Sequence, residues 1–144
     1  MIVGQILKGK AITTTEGIAP DMTVGEAVAI LSEKRIGALV VGTDFDHPDG
    51  ILSERDVVRE LGRQGASVLD LPVSELMTRK LVTCQPDHTA LDVLEKMTQG
   101  RFRHMPVMDD GKMVGLVSIG DVVKARLEEL AMERNALEGM IMGH

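Results

Sequence analysis

Apolar residues recur at helical spacing at Val24, Ala27, Val28 and Leu31, just after Thr23, and again at Ala90, Val93, Leu94 and Met97, just after Thr89. A hydroxyl side chain before such a run accepts hydrogen bonds from the first free amides of a helix, so each run predicts a one-sided helix with a threonine cap. Next in each case comes a short apolar run, ALVV at 38–41 or MPVM at 105–108, then a polar turn, DFDHPDG or DDGK, then ILS or GLVS. Apolar runs bounded by turn residues read as buried strands, and the turns between them predict hairpins. A second helix opens at Ser53 or Ser118, with Val57, Val58 and Leu61, or Val122, Val123 and Leu127, expected on its buried side. The order helix, strand, strand, helix therefore occurs twice.

The two passages are copies of one unit. With a shift of 66, Pro20, Thr23, Ala27, Leu31 and Val41 fall on Pro86, Thr89, Val93, Met97 and Val107. With a shift of 65, Gly50, Leu52, Ser53, Asp56, Val57 and Val58 meet Gly115, Val117, Ser118, Asp121, Val122 and Val123, so one residue was gained or lost in the loop between. Residues 62–72, GRQGASVLDLP, are the least regular stretch and the expected linker. The organisation read from this pattern is copy one with an N-terminal helix at 1–61, a linker at 62–72, copy two at 73–130 and a helical extension at 131–144. VSELMT at 73–78 reads as a short helix entering copy two, with VGQILK at 3–8 as its counterpart in copy one. Half of the chain would bury too little surface to stand alone, so an α+β fold is expected in which the two copies pack through their sheets with pseudo-two-fold symmetry.

Composition narrows the function. With two Phe, no Trp, no Tyr and ten Met, the core must be aliphatic and thioether, and platforms on which bases stack are nearly absent. A net charge of -6 opposes a nucleic-acid backbone, so no nucleic-acid partner is expected. The single cysteine, Cys84, cannot form an intramolecular disulfide, and no Cys or His cluster has metal-site spacing. MIVGQILKGKA lacks the apolar core of a signal peptide, and no apolar run approaches the ~18 residues of a membrane span, so a cytoplasmic protein without a membrane partner is expected. The loop carrying Asp44, Asp46 and Asp49 starts like a calcium loop, but its glycine is displaced and Arg55 stands where a bidentate Glu belongs, so it reads as a hairpin turn. No Walker loop, no strand-linked G-x-G-x-x-G and no nucleophile-base pattern occurs, so no catalytic or metal-binding residue is assigned and no enzyme is expected.

The run RFRHMPVMDDGKMVGLVSIGDVVKARL, Arg101 to Leu127, with RIGALVV and GILSERDVVREL in copy one, resembles the paired motifs of tandem cystathionine β-synthase (CBS) domains, the Bateman module, of the stand-alone bacterial type. The resemblance covers nearly the whole chain. It implies a βαββα-type unit in each copy, often a flat dimer of such pairs, and binding of AMP, ADP, ATP, NAD-type dinucleotides or S-adenosylmethionine in clefts between the motifs. Usually such a pair regulates a partner domain or protein. It further implies that Arg103 and His104 approach the cleft containing Ser118 and Asp121, with Ile36 and Gly37 contributed by copy one. Base contacts would come from around Ala19, Pro20 and Val24 in one cleft and from around Gln85, Pro86 and Ala90 in the other. Phe102 reads as core, with stacking on adenine the alternative.

A nucleotide would find suitable chemistry in the repeated Ser-x-x-Asp, Ser53 with Asp56 and Ser118 with Asp121, placed where a strand ends and a helix begins. The first helical turn offers amides and a positive dipole end to a phosphate, and an ionised carboxylate accepts from both ribose hydroxyls. The alternative is a capping box, in which both side chains satisfy backbone donors. Arg55 lies inside the first motif where copy two has Gly120, so the clefts are unequal; Arg55 is either a phosphate clamp or a solvated charge beside Glu54 and Glu60. Arg101, Arg103 and His104 are the densest basic group, and strand alternation would put Arg103 and Met105 on one face and His104 on the other. Past copy two, Val123, Leu127, Leu130, Leu137 and Ile141 form a stripe interrupted by Arg134, for which homodimerisation is the preferred reading beside packing in the chain or docking a client. The expected function is a sensor of AMP, ATP or NAD(H), preferred over S-adenosylmethionine, that acts in trans on an unidentified protein client. The alternative is a dimeric adaptor whose clefts are vestigial.

Overall fold

A computed structural model describes residues 1–10 and 17–141 of the chain. Parts of the assigned first copy (11–16) and of the assigned extension (142–144) lie outside the described residues. The elements run α1 (Val3–Lys8), β1 (Gly17–Ile18), α2 (Val24–Lys34), β2 (Ala38–Val41), β3 (Gly50–Ser53), α3 (Glu54–Gln64), α4 (Ala90–Gly100), β4 (His104–Asp109), β5 (Lys112–Ser118) and α5 (Ile119–Ile141). Two short 3-10 helices, Ala66–Asp70 and Val73–Glu75, join α3 to the second half.

Both threonine caps form as the sequence predicts. Thr23 Oγ1 accepts from the Glu26 amide at 3.2 Å and Thr89 Oγ1 from the Asp92 amide at 3.1 Å. The repeat extends to the other ends of these helices, which stop at Arg35 (φ 54°) and Arg101 (φ 57°), both in the left-handed region usually left to glycine. Both hairpins also form. In the second, Asp110 (φ 52°) and Gly111 (φ 77°) make the two-residue turn with both φ positive that suits the twist of its strands.

The chain forms two compact units, and the boundaries cross the sequence copies. One unit comprises residues 14–82 with 110–114. Its sheet has the order β1-β2-β3, with β1 parallel to β2 and β2 antiparallel to β3, Leu39 opposite Leu52 and Val41 opposite Gly50. Leu39, Val41 and Leu52 are buried with Val24, Ala27, Val57, Val68 and Val73 in one apolar core. The other unit comprises residues 1–13, 83–109 and 115–144, with a core of Val3, Ile6, Cys84, Val93, Met97, Met105, Val107, Val117 and Val122. Here Cys84 bridges Val107 in parallel, just as Ile18 pairs with Val41 one repeat earlier, so each copy has the order βαββα. Phe102 packs against this second core, as its core reading requires.

Three sequence expectations change. The 73–78 segment does not enter copy two: the Val73 amide bonds to Met22 O and the Thr78 amide to Ile51 O, so it closes the copy-one unit. Conversely, α1 docks on copy two, with the Val3 amide on His88 O and the Gly4 amide on Pro86 O. The expected linker is ordered structure, because Val68 is fully buried and Leu69 and Leu71 pack beside it. Finally, Val58, Val123 and Leu127 are exposed at 67%, 38% and 61%, since Val57 with Leu61, and Val122 with Ala125, already fill the inward faces of α3 and α5.

Candidate functional site

In each copy the candidate site is the turn from the last strand into the following helix. At the start of α3, Ser53 Oγ accepts from the Asp56 amide at 3.2 Å while Asp56 Oδ2 accepts from the Ser53 amide at 3.0 Å. The Glu54 amide donates to Gly37 O at 2.9 Å. At the start of α5, Ser118 Oγ accepts from the Asp121 amide at 3.1 Å, Asp121 Oδ2 accepts from the Ser118 amide at 2.9 Å, and the Ile119 amide donates to Arg103 O at 2.8 Å. The capping-box reading is therefore realised in both copies. Three of the four amides at each helix start thus have partners inside the protein.

The carboxylates differ in how they are held. Asp56 Oδ1 takes Arg59 Nη2 at 3.1 Å, and its side chain is 8% exposed. Asp121 instead meets Lys10, whose Nζ lies 3.0 Å from Oδ2 and also donates to Leu116 O at 2.8 Å. The Asp121 side chain is 24% exposed. Burial by itself would raise the Asp121 carboxyl, but hydrogen bonds from the Ser118 amide and from Lys10, with the lysine charge, outweigh it and hold the group below the ordinary carboxylate value.

Lys10 carried no signal in the motif reading, because it stands 111 residues before Asp121. The match of 3–8 on 73–78, carried two residues further, sets Lys10 on Lys80 and was the available clue. The equivalence is positional only. Lys80 is exposed, and the acceptor equivalent to Leu116 O, namely Ile51 O, is taken by the Thr78 amide at 2.8 Å.

The other expected site residues fall into two groups. Gly37 and Arg103 reach the helix starts through their carbonyls. Ile36 is half-buried against the copy-one core, His104 is half-buried at the start of β4, and Arg55, Ala19 and Gln85 are exposed. Val24 and Ala90 have no exposed surface and serve as core, so neither side chain is open to a base. Arg103 is exposed whereas Met105 is fully buried; β4 begins at His104, so strand alternation does not extend to Arg103. Cys84 is 1% exposed and burial pushes its thiol up to about 11, which makes it an inert core residue. Among the described residues no group of three or more His, Cys, Asp or Glu could hold a metal ion. The Asp44 loop closes on itself instead, with His47 Nδ1 2.9 Å from Asp44 Oδ2.

The outer faces of α3 and α5 also diverge. On α3, Arg55, Val58, Arg59, Gly62 and Arg63 follow one another at helical spacing. On α5 the matching positions are Gly120, Val123, Lys124, Leu127 and Glu128, which with Ala131 line an open apolar groove of about 440 Å³. No helix among the described residues is long and apolar enough to cross a membrane.

A βαββα unit repeated in tandem, with the same capped Ser-x-x-Asp turn in each copy, defines a duplicated α+β domain pair. The chain belongs to the CBS domain family, whose profile matches residues 14–63 and 73–128. It is 42% identical to the CBS-domain containing protein ATU1752 of Agrobacterium tumefaciens, whose crystal structure superposes with a TM-score of 0.83 over 88% of this chain and 99% of that one. It is 39% identical to the mitochondrial CBS domain-containing protein CBSX3 of Arabidopsis thaliana over 85% of this chain. The chain spans 62% of the length of CBSX3 and 26% of another Arabidopsis relative, CBSCBSPB1. The crystal structure of CBSX2 in complex with AMP is 26% identical, with a TM-score of 0.71 over 88% of this chain and 96% of that one.

Proposed function

We propose that this CBS pair is a regulatory adenine-nucleotide sensor, cytoplasmic and homodimeric, that binds an AMP-type ligand and acts in trans on a protein client. The observation that carries the reading is the carboxylate at each strand-to-helix turn, held by its cap with Asp121 partly open to solvent. An ionised carboxylate accepts from a ribose diol, and the adjoining helix start favours a phosphate. The AMP complex of CBSX2 supports the ligand class. In this reading Ser118 and Asp121 bind the ribose, with Arg103 and His104 as the basic groups of the same unit, while Ser53, Asp56 and Arg55 form the copy-one turn. Arg55, Arg103 and His104 favour AMP, ATP or NAD(H) over S-adenosylmethionine.

A second reading, a dimeric adaptor without ligand, is favoured by one observation: both motifs are already complete as capping boxes. Thermal unfolding with AMP, ADP, ATP, NADH and S-adenosylmethionine separates the two. Saturation at ~100 times the dissociation constant stabilises a fold by ~2.7 kcal/mol, so a sensor shifts its melting temperature with at least one ligand. The shift is expected to disappear in Asp121→Ala, each variant being compared with its own ligand-free protein. Indifference to all five ligands would favour the adaptor.

A further inference from the structure

Lys10 lies outside both stretches matched by the family profile, in the segment that follows α1, yet its ammonium touches the most functional-looking carboxylate of the copy-two unit. Two observations separate this contact from ordinary packing. The first is the comparison with copy one, where a backbone amide, that of Thr78, satisfies Ile51 O. The same structural task at Leu116 O is performed in copy two by a side-chain ammonium, which brings a charge that the task does not need. The second is the distribution of these donors on Asp121: the Ser118 amide and Lys10 both approach Oδ2.

We propose that Lys10 is a positioning and specificity residue of the Asp121 site, orienting the carboxylate for ribose hydroxyls through Oδ1 and making the turn hospitable to an adjoining phosphate. The proposal rests on the nucleotide reading of this turn. A lone aspartate beside a helix start repels a phosphate, whereas an aspartate paired with an ammonium presents no net charge while keeping its acceptors. The ammonium, strongly hydrated and carried on a flexible stem, remains able to donate to a phosphate oxygen as well. Copy one neutralises Asp56 differently, with Arg59 one turn along the same helix and bonded to Oδ1, whereas Lys10 meets Oδ2 of Asp121. The copy-two turn is therefore the one suited to a nucleoside monophosphate, and the selectivity Lys10 confers is for AMP over uncharged adenosine.

The test is calorimetric titration of the full chain with AMP and with adenosine, in wild type, Lys10→Met and Lys10→Arg, together with carboxyl-carbon NMR titration of Asp121. Lys10 lowers the Asp121 carboxyl through a hydrogen bond and its charge, beside the hydrogen bond from the Ser118 amide, so its removal should move the Asp121 midpoint up. Loss of a charge-assisted contact predicts AMP affinity about tenfold or more weaker in Lys10→Met, adenosine affinity changed by less than about threefold, and recovery of AMP binding in Lys10→Arg. Unchanged or tighter AMP binding in Lys10→Met, with wild type binding normally, overturns the role of Lys10 and leaves the nucleotide reading standing. An Asp121 midpoint that ignores Lys10 also overturns it. If wild type binds neither ligand while the midpoint responds, the nucleotide reading itself falls, and the specificity role falls with it.

Discussion

Asp56 and Asp121 occupy the same place in two copies of one motif, and each caps its helix through the same pair of hydrogen bonds. Their surroundings have diverged. Asp56 is nearly buried and bonded to an arginine of its own helix, while Asp121 is more open and bonded to a lysine 111 residues upstream. Duplication copied the backbone solution, in which a serine and an aspartate satisfy the orphan amides of a helix start. It did not fix the cation that meets the carboxylate, and there the copies acquired different chemistry. The outer helix faces diverged in the same sense, from three arginines on α3 to an apolar groove on α5.

The cores should respond alike and most strongly. Leu52→Ala removes a fully buried side chain from one core and is expected to cost about 2–5 kcal/mol in chemical denaturation. Val117→Ala, at the matching position, loses less hydrocarbon and should cost about 2 kcal/mol. Equal costs would mean that one unit relaxes around a cavity better than the other. The caps should separate the copies at a smaller scale. Asp56→Ala leaves the half-buried Ser53 amide without its acceptor and takes one of two carboxylate partners from Arg59, and should cost about 1–3 kcal/mol, whereas Asp121→Ala should cost nearer 1 kcal/mol because water reaches its surroundings.

The smallest effect is one of pH. Because the folded carboxyl of Asp121 is held below its unfolded value, ordinarily about 3.9, the unfolded chain takes up this proton first as the pH falls. The stabilisation is complete above the unfolded value and is lost as the pH falls through the folded one. Stability curves of wild type and Asp121→Asn should therefore converge as the pH falls below about 4. Curves that stay parallel would mean that the Ser118 and Lys10 contacts together do not lower this carboxyl in solution.

The sequence carried the local half of this arrangement plainly. Threonine caps, hairpin turns and the doubled Ser-x-x-Asp are each written within a few residues, and all form as predicted. What escaped was anything decided at a distance. Val58 and Val123 fit an apolar helical spacing, but spacing cannot say which part of a stripe a neighbouring element covers, and both are exposed. Val68 sits among glycines and polar residues that suggested a linker, although its side chain fills the core. The exchange of the two short entry segments, and with it the Lys10 contact, follows from tertiary docking that no local window contains.

That exchange has a consequence for the order in which the chain takes shape. Residues 1–10 are made well before their partners, His88, Leu116 and Asp121. At about 5–20 residues per second the first segment waits on the order of 6–25 seconds for its docking surface, whereas residues 73–80 meet theirs at once. The copy-one unit can therefore assemble during synthesis, and the copy-two unit closes only when the two ends of its divided chain meet. This long-range closure is the slower kind of step, because the entropy of a large loop is lost before its contacts form. The Asp121 turn is completed by a segment made long before it, and the structural asymmetry between the copies is also an asymmetry in time.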